Sequence, residues 1–218
     1  MSLTIYLGNK AYSSWSLRPW LALHHVGVPF DEVVIPLDQP DSRERILGHS
    51  PSGRVPALRD GDVHVWESLA ICEYLAERFP EAKLWPDALP DRALARTVSS
   101  EMHAGFVALR STMPMKLNRP PAPIAYGADV QADIDRIVAI WTQLRAAATT
   151  GAYLFGRFSI ADAMFAPVAT RFHTYAVKLP PVAAAYVETL RAHAGMRAWA
   201  EAAATETFRM KRYEDIAK

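Results

Sequence analysis

A single cysteine, Cys72, excludes an intrachain disulfide and a multi-cysteine metal site. Neither sign of charge is in excess: 24 Lys and Arg against 23 Asp and Glu give a formal net charge of +1, and no block of like charge occurs. That balance lacks the electrostatic footprint of a nucleic-acid binder. No apolar run approaches the roughly 20 residues needed to cross a bilayer. The first residues show no charged stretch followed by an apolar core, so neither a membrane contact nor a signal peptide is expected, and a cytoplasmic protein is. Internal repeats are absent, and low complexity is limited to short alanine clusters. His24-His25 have no carboxylate at ligand spacing, so no metal is expected there. What remains is an ordinary globular composition, 50% hydrophobic over 218 residues, with room for two small domains or one large one.

In chain order, Leu3 to Leu7 reads as a strand closed by the turn Gly8-Asn9. A helical pattern follows over Ser14 to Val26, with Pro19 in its first turn, and stops at Gly27-Val28-Pro29. Phe30 to Pro36, with Val33, Val34 and Ile35, reads as a buried strand, giving a parallel βαβ unit. A short helix over Ser42 to Leu47 precedes a strand at Val55 to Arg59, and Asp60-Gly61 turns it into a hairpin with Val63 to Val65. The next helix opens at Glu67-Ser68, carries Cys72 on its buried face as an inert thiol, and ends at Phe79-Pro80. Pro80, Pro86 and Pro90 suit a linker over residues 81–92. Beyond it only helical patterns remain: a long helix over Ala93 to Thr112, a break at Met113-Pro114-Met115, a proline-rich loop to Gly127, and a helix over Asp129 to Ala148. Ser159-Ile160-Ala161-Asp162 is a capping sequence at the head of another helix. Helices near Pro181 to His193 and Gly195 to Thr205 precede a polar tail, Thr207 to Lys218. The order βαβ, α, β, β, α followed by helices alone is an α/β domain over residues 1–80 and an all-α bundle over 93–218.

Chemistry is expected at Tyr12 to Arg18. Ser13, Ser14 and Ser16 place hydroxyls where a helix begins, beside its unpaired N–H groups and the positive end of its dipole. Such a place stabilises an anion, a thiolate among them. On this stretch alone, capping is the simpler role for the serines.

Three motifs in order, the Ser-Ser-x-Ser-x-Arg pattern at Ser13 to Arg18, Val55-Pro56 before a hairpin, and Glu67-Ser68 heading the next helix, resemble those of glutathione transferases. The serine loop resembles the serine-type classes, particularly zeta-like bacterial members. A zeta enzyme carries cysteine where this chain has Trp15, so an isomerisation that leans on that cysteine is not implied. The resemblance implies a thioredoxin-like N-terminal domain binding glutathione as co-substrate without a metal, and a helical C-terminal domain lining the acceptor site. It implies a cis peptide at Val55-Pro56 that presents the Val55 backbone to an extended tripeptide. Glu67 and Ser68 would take the ammonium and carboxylate of the γ-glutamyl end, and Arg54 is a further contact candidate. Trp15, His103, Arg110 and Met113 are the acceptor-site candidates. Asp162 is assigned to folding.

The implied activity is conjugation of the glutathione thiolate to a small hydrophobic electrophile by a homodimer. The alternatives are a glutathione-dependent isomerase, ether-cleaving or peroxidase enzyme on the same fold, or a non-catalytic binding protein. Which serine meets the sulfur is open between two counts. Ser13 and Ser16 have the spacing of a redox Cys-x-x-Cys pair, whose first member is the exposed one; counting back from Arg18 lands on Ser14. Ser13 is the expectation, with Ser14 binding a neighbouring group or donating through its backbone N–H.

Overall fold

Leu3–Leu7 forms β1, the strand on which the first half is laid down; the structure, a computed structural model, describes residues 3–214. Leu3, Ile5 and Leu7 are buried, and β1 pairs on both sides. β2 (Phe30–Val34) runs parallel to it, and β3 (Ala57–Asp60) runs antiparallel and continues into β4 (Val63–Trp66), so the sheet order is β2-β1-β3-β4. The buried strand expected over Phe30 to Pro36 is instead an edge strand: Asp31, Glu32 and Val34 are exposed. The triplet Val33-Val34-Ile35 imitates a core strand, but a neighbour on one side only leaves half of it to solvent. α1 (Ser14–Val26) crosses between β1 and β2 and stops at Gly27, whose φ of +79° suits glycine. Pro19 falls in its second turn, one turn later than expected, where it supplies no N–H to the helix. α2 (Ser42–Leu47) and α3 (Ser68–Arg78) complete the thioredoxin-like layer.

After a 3-10 turn at Pro80–Ala82, α4 (Leu89–Ala104) starts inside the segment read as a linker. Pro90 sits in its first turn, where a missing N–H is harmless. The single helix expected over Ala93 to Thr112 is two. Gly105 caps α4, and a Cβ there would stand 2.8 Å from the Glu101 carbonyl oxygen. Phe106, at φ +58°, turns the chain into α5 (Val107–Thr112). The apolar spacing Val98, Met102, Phe106, Leu109 runs straight through this break because Phe106 and Leu109 are buried on both sides of it. α6 (Ala128–Ala147), α7 (Ile160–Thr174), α8 (Pro181–Ala192) and α9 (Ala194–Thr205) form the rest of the bundle.

α7 is the buried axis, packed on α1, α4 and α8. Its head is set by Asp162, fully buried and accepting four hydrogen bonds. Leu154 N–H (3.0 Å) and the Tyr186 hydroxyl (2.7 Å) reach Oδ1; Ser159 N–H (2.8 Å) and Oγ–H (2.9 Å) reach Oδ2. The folding role expected for Asp162 has this geometry behind it.

The stretch read as a polar tail from Thr207 is structured as far as it is described, while 215–218 lie outside the described residues. α10 (Lys211–Glu214) folds back over the serine loop: Met210 is buried with Ala11, Tyr12 and Ala203. Tyr12 donates to Glu214 at 2.6 Å, and Lys116 pairs with Glu214 at 3.0 Å. Just upstream, Glu206 accepts the N–H groups of Lys10 (2.6 Å) and Ala11 (3.0 Å). Glu206→Ala should therefore lower stability by about 2 kcal/mol, since two donors lose a charged acceptor; a thermal melt unchanged from wild type would contradict this.

Candidate active site

The serine loop ends in a helix cap that engages the two serines differently. Ser13 caps α1: its hydroxyl donates to Ser16 Oγ at 2.8 Å and accepts Ser16 N–H at 3.4 Å, while Ser16 Oγ also takes Gly8 N–H at 3.0 Å. Ser14 Oγ accepts from Arg171 Nη2 at 3.2 Å, and no described protein group accepts its hydroxyl proton. The backbone N–H of Ser14, considered above as a donor to sulfur, is occupied by the Tyr12 carbonyl at 2.9 Å.

Two cavities meet at this loop. One, of about 340 Å³, is lined by Pro56, Glu67, Ser68 and His103; the other, of about 520 Å³, by Ser13, Ser14 and residues of α5, α7 and α10. Trp15, Arg54, Val55 and Arg110 line both, so the expected site residues come together with one exception. Met113 is fully buried away from the cavities, and its carbonyl accepts Arg171 Nε at 2.8 Å; Pro114 and Met115 line the wall instead.

In the smaller cavity the Val55-Pro56 peptide is cis. Glu67 precedes α3 at φ +75° and ψ 128°, a region that non-glycine residues enter rarely and mostly at functional sites. Ser68 Oγ is buried without a partner, which is a costly state for a hydroxyl that nothing else will meet. His103, from the end of α4, brings Nε2 within 3.5 Å of Glu67 Oε2. Its pKa is lowered, chiefly by burial, against the opposite pull of Glu67.

Positive charge dominates the larger cavity. Arg54, Arg110, Arg171 and Arg212 line it and no carboxylate does, with Arg212 paired to Asp38 at 3.5 Å. Trp15, Leu37, Ile46, Val107 and Met115 give the same cavity an apolar wall, so cationic and apolar groups share it. The guanidinium groups of Arg18 and Arg110 lie 4.2 and 5.2 Å from the centroid of the Trp15 ring, stabilising the indole by cation–π attraction. Burial depresses the pKa of Arg18, Arg110 and Arg171, the last to about 10, and the three repel one another. None of the three has a carboxylate within salt-bridge distance among the described residues. Of the buried polar atoms left without a partner, Ser68 Oγ, His103 Nδ1, Arg110 Nε and Arg171 Nη1 all belong to cavity residues, which is the pattern of a site built for a polar ligand.

Residues 12–78 match the family description "Glutathione S-transferase, N-terminal domain", and residues 127–202 match "Glutathione S-transferase, C-terminal domain". The chain belongs to the glutathione S-transferase family. Among curated relatives, Glutathione S-transferase Z1 of Arabidopsis thaliana is 39% identical over 104 residues, 44% of this chain and 46% of that one. Maleylacetoacetate isomerase of Rattus norvegicus is 28% identical over 186 residues, 81% of each chain. These relatives agree with a zeta-like glutathione S-transferase. The chain spans less than half the length of the first curated relatives it matches. A glutathione transferase homolog from Burkholderia, solved with bound glutathione, has the same fold, with a TM-score of 0.71 at 22% identity over 94% of this chain and 100% of that one.

Several residues of this glutathione S-transferase site were not legible beforehand. Met210, Arg212 and Tyr213 reach the cavity because α10 folds back. Arg171 did carry a signal: it is a lone cation in the otherwise apolar run Ala161 to Phe172, broken only by Asp162 and Thr170. Among the described residues no three His, Cys, Asp or Glu side chains gather as a metal would require, and no helix is long and apolar enough to cross a membrane.

Proposed function

We propose that the protein conjugates the glutathione thiolate to a small electrophile carrying a negative charge, with Ser14 as the donor to the sulfur. The observation that carries this reading is the Ser14 hydroxyl on the wall of the larger cavity, next in sequence to Trp15, which lines both cavities. It accepts from a buried guanidinium, so its own proton is left for a ligand. Ser13, whose proton is spent on Ser16, serves as the cap. Glutathione would lie extended along Val55-Pro56, its γ-glutamyl carboxylate at the Ser68 hydroxyl and the head of α3, its ammonium at Glu67. The thiol proton leaves to solvent, and the thiolate is stabilised by the Ser14 hydroxyl, the α1 dipole and the surrounding arginines. It then forms a C–S bond to the electrophilic carbon held in the larger cavity. Either the bond to a leaving group breaks and that group departs with its electron pair, or an activated double bond opens and the resulting carbanion takes a proton from solvent. The arginines lining that cavity favour an acceptor bearing a carboxylate or a similar anion.

The unit boundaries proposed with this reading are residues 1–80 for glutathione and 93–218 for the acceptor side. The assembly would be a symmetric homodimer, and the location the cytoplasm, where thiols are kept reduced. A dimer mass by light scattering supports the first of these, and a monomer at micromolar concentration counts against it.

The function is tested by retention on immobilised glutathione, followed by conjugation of paired electrophiles that share a reactive carbon and differ only in a carboxylate. The charged member should show the higher kcat/KM, by about tenfold for one charge-assisted contact. Equal values would remove the anionic acceptor, and failure of both retention and conjugation would remove the enzyme. Ser14→Ala should lower turnover at neutral pH about tenfold, the loss of one hydrogen bond to a charged group, while Ser13→Ala should chiefly lower the melting temperature. The reverse pattern would return the sulfur to Ser13.

A further inference from the structure

We infer that Arg171, delivered from the helical domain, is a positioning residue that aims the Ser14 hydroxyl at the glutathione sulfur and supplies the charge that strengthens its hydrogen bond. The inference rests on Ser14 being the donor, as proposed above.

Arg171 stands near the end of α7, the most deeply buried helix, and is itself 3% exposed. Taking a guanidinium out of water without a counter-charge is unfavourable. Here the charges that face it make matters worse: Arg110 from α5 and Arg18 from α1 both repel it, and no carboxylate lies within salt-bridge distance of it among the described residues. A side chain of the same length without charge would fill this volume at less expense. Two of its nitrogens are committed, Nε to the Met113 carbonyl at 2.8 Å and Nη2 to Ser14 Oγ at 3.2 Å; Nη1 is buried without a partner in a residue that lines the larger cavity. The Met113 bond fixes the plane of the guanidinium, and that plane fixes which lone pair of Ser14 is taken.

A hydroxyl that accepts an N–H on one lone pair turns its proton elsewhere. With the Ser14 backbone N–H already bound to Tyr12, rotation about the Ser14 side chain is the only freedom left, and Arg171 removes it. The accepted bond also polarises the hydroxyl, so that it donates more strongly to a neighbouring anion. No proton moves from Arg171 or Ser14 in this scheme: the thiol ionises to solvent, and the Ser14 proton stays on Oγ and bridges to the sulfur.

The test is to titrate the thiolate absorbance of bound glutathione in the wild type, Ser14→Ala, Arg171→Gln, Arg171→Lys and the double variant Ser14→Ala/Arg171→Gln. Arg171→Gln should move the titration midpoint of the thiol up by about one pH unit, a tenfold loss of thiolate at neutral pH that is recovered at higher pH. Arg171→Lys, which keeps the charge, should recover part of it. In the double variant Arg171→Gln should add little to Ser14→Ala, because its effect passes through that hydroxyl. An unmoved midpoint in folded Arg171→Gln, or a change only in KM for the acceptor, would overturn the inference while leaving Ser14 in place. Full additivity in the double variant would also overturn it. If Ser14→Ala itself leaves the midpoint unmoved, the donor assignment fails and this inference with it. Should the Arg171 variants not fold, Ser14→Cys reads the same field with Arg171 intact. Its thiol should be alkylated with a midpoint below the ordinary value of about 8.5 and below that of Ser13→Cys, which shares the helix dipole; equal midpoints would refute the role of Arg171.

Discussion

Asp162→Ala should lower folding stability by about 3–5 kcal/mol, well above the 0.5–2 kcal/mol of an ordinary helix cap. A cap satisfies one or two N–H groups at a helix end. Asp162 satisfies four donors from three segments of chain, and all of them are buried. Removing the carboxylate leaves Leu154 N–H, Ser159 N–H and the Tyr186 hydroxyl without acceptors, each at about 1–3 kcal/mol, partly relieved by relaxation. The effect should depend on pH. Burial raises the Asp162 pKa to about 6, against the lowering pull of its four hydrogen bonds. Because the folded value lies above the unfolded one, the native state holds the proton longer. The associated stability is complete below the unfolded pKa and is lost as pH rises through about 6. Between pH 5 and pH 7 the difference between wild type and Asp162→Ala should therefore shrink by about 1 kcal/mol. Chemical denaturation at the two pH values measures it, and a difference that grew with pH would reverse the assignment. Turnover of the folded fraction should be little changed.

Ser68→Ala should do the opposite, weakening glutathione binding about 10–100-fold with no loss of stability. The hydroxyl is buried and makes no hydrogen bond to a described protein group, so its removal relieves the unbound protein of a desolvated polar group. In the complex the same hydroxyl would meet a carboxylate, and a bond to a charged group is worth about 1.5–3 kcal/mol. Titration calorimetry and a thermal melt on one preparation decide the matter. A lower melting temperature with unchanged affinity would make Ser68 a structural residue and move the γ-glutamyl anchor elsewhere.

Local signals carried much of this architecture into the sequence. β1, α1, the hairpin through Gly61 and the capping sequence at Ser159 to Asp162 each depend on residues close in the chain, and each was readable. The cis peptide at Val55-Pro56, the Glu67-Ser68 pair and Arg110 were reachable once the order of motifs suggested a family. What could not be read depends on contacts between distant segments. Whether Phe30 to Val34 is central or at an edge is decided by what pairs with its free side, which no local pattern encodes. The break at Gly105-Phe106 was masked because both sides of it bury apolar residues at helical spacing. Met113 was placed on the cavity by its chain position, whereas only its carbonyl takes part, holding Arg171. The contact that sets Ser14 apart from Ser13 comes from Arg171, 157 residues from Ser14.

Glu206 holds the serine loop at Lys10 and Ala11 across 196 and 195 residues of chain. On a ribosome adding about 5–20 residues per second, the loop is thus synthesised about 10–40 s before the carboxylate that pins it. Its sheet and first helix can form early, but Lys10 and Ala11 acquire these two bonds only after Glu206 has been made. A nascent copy stalled before Glu206 would carry every motif of the thioredoxin-like half and still lack these two bonds to the loop.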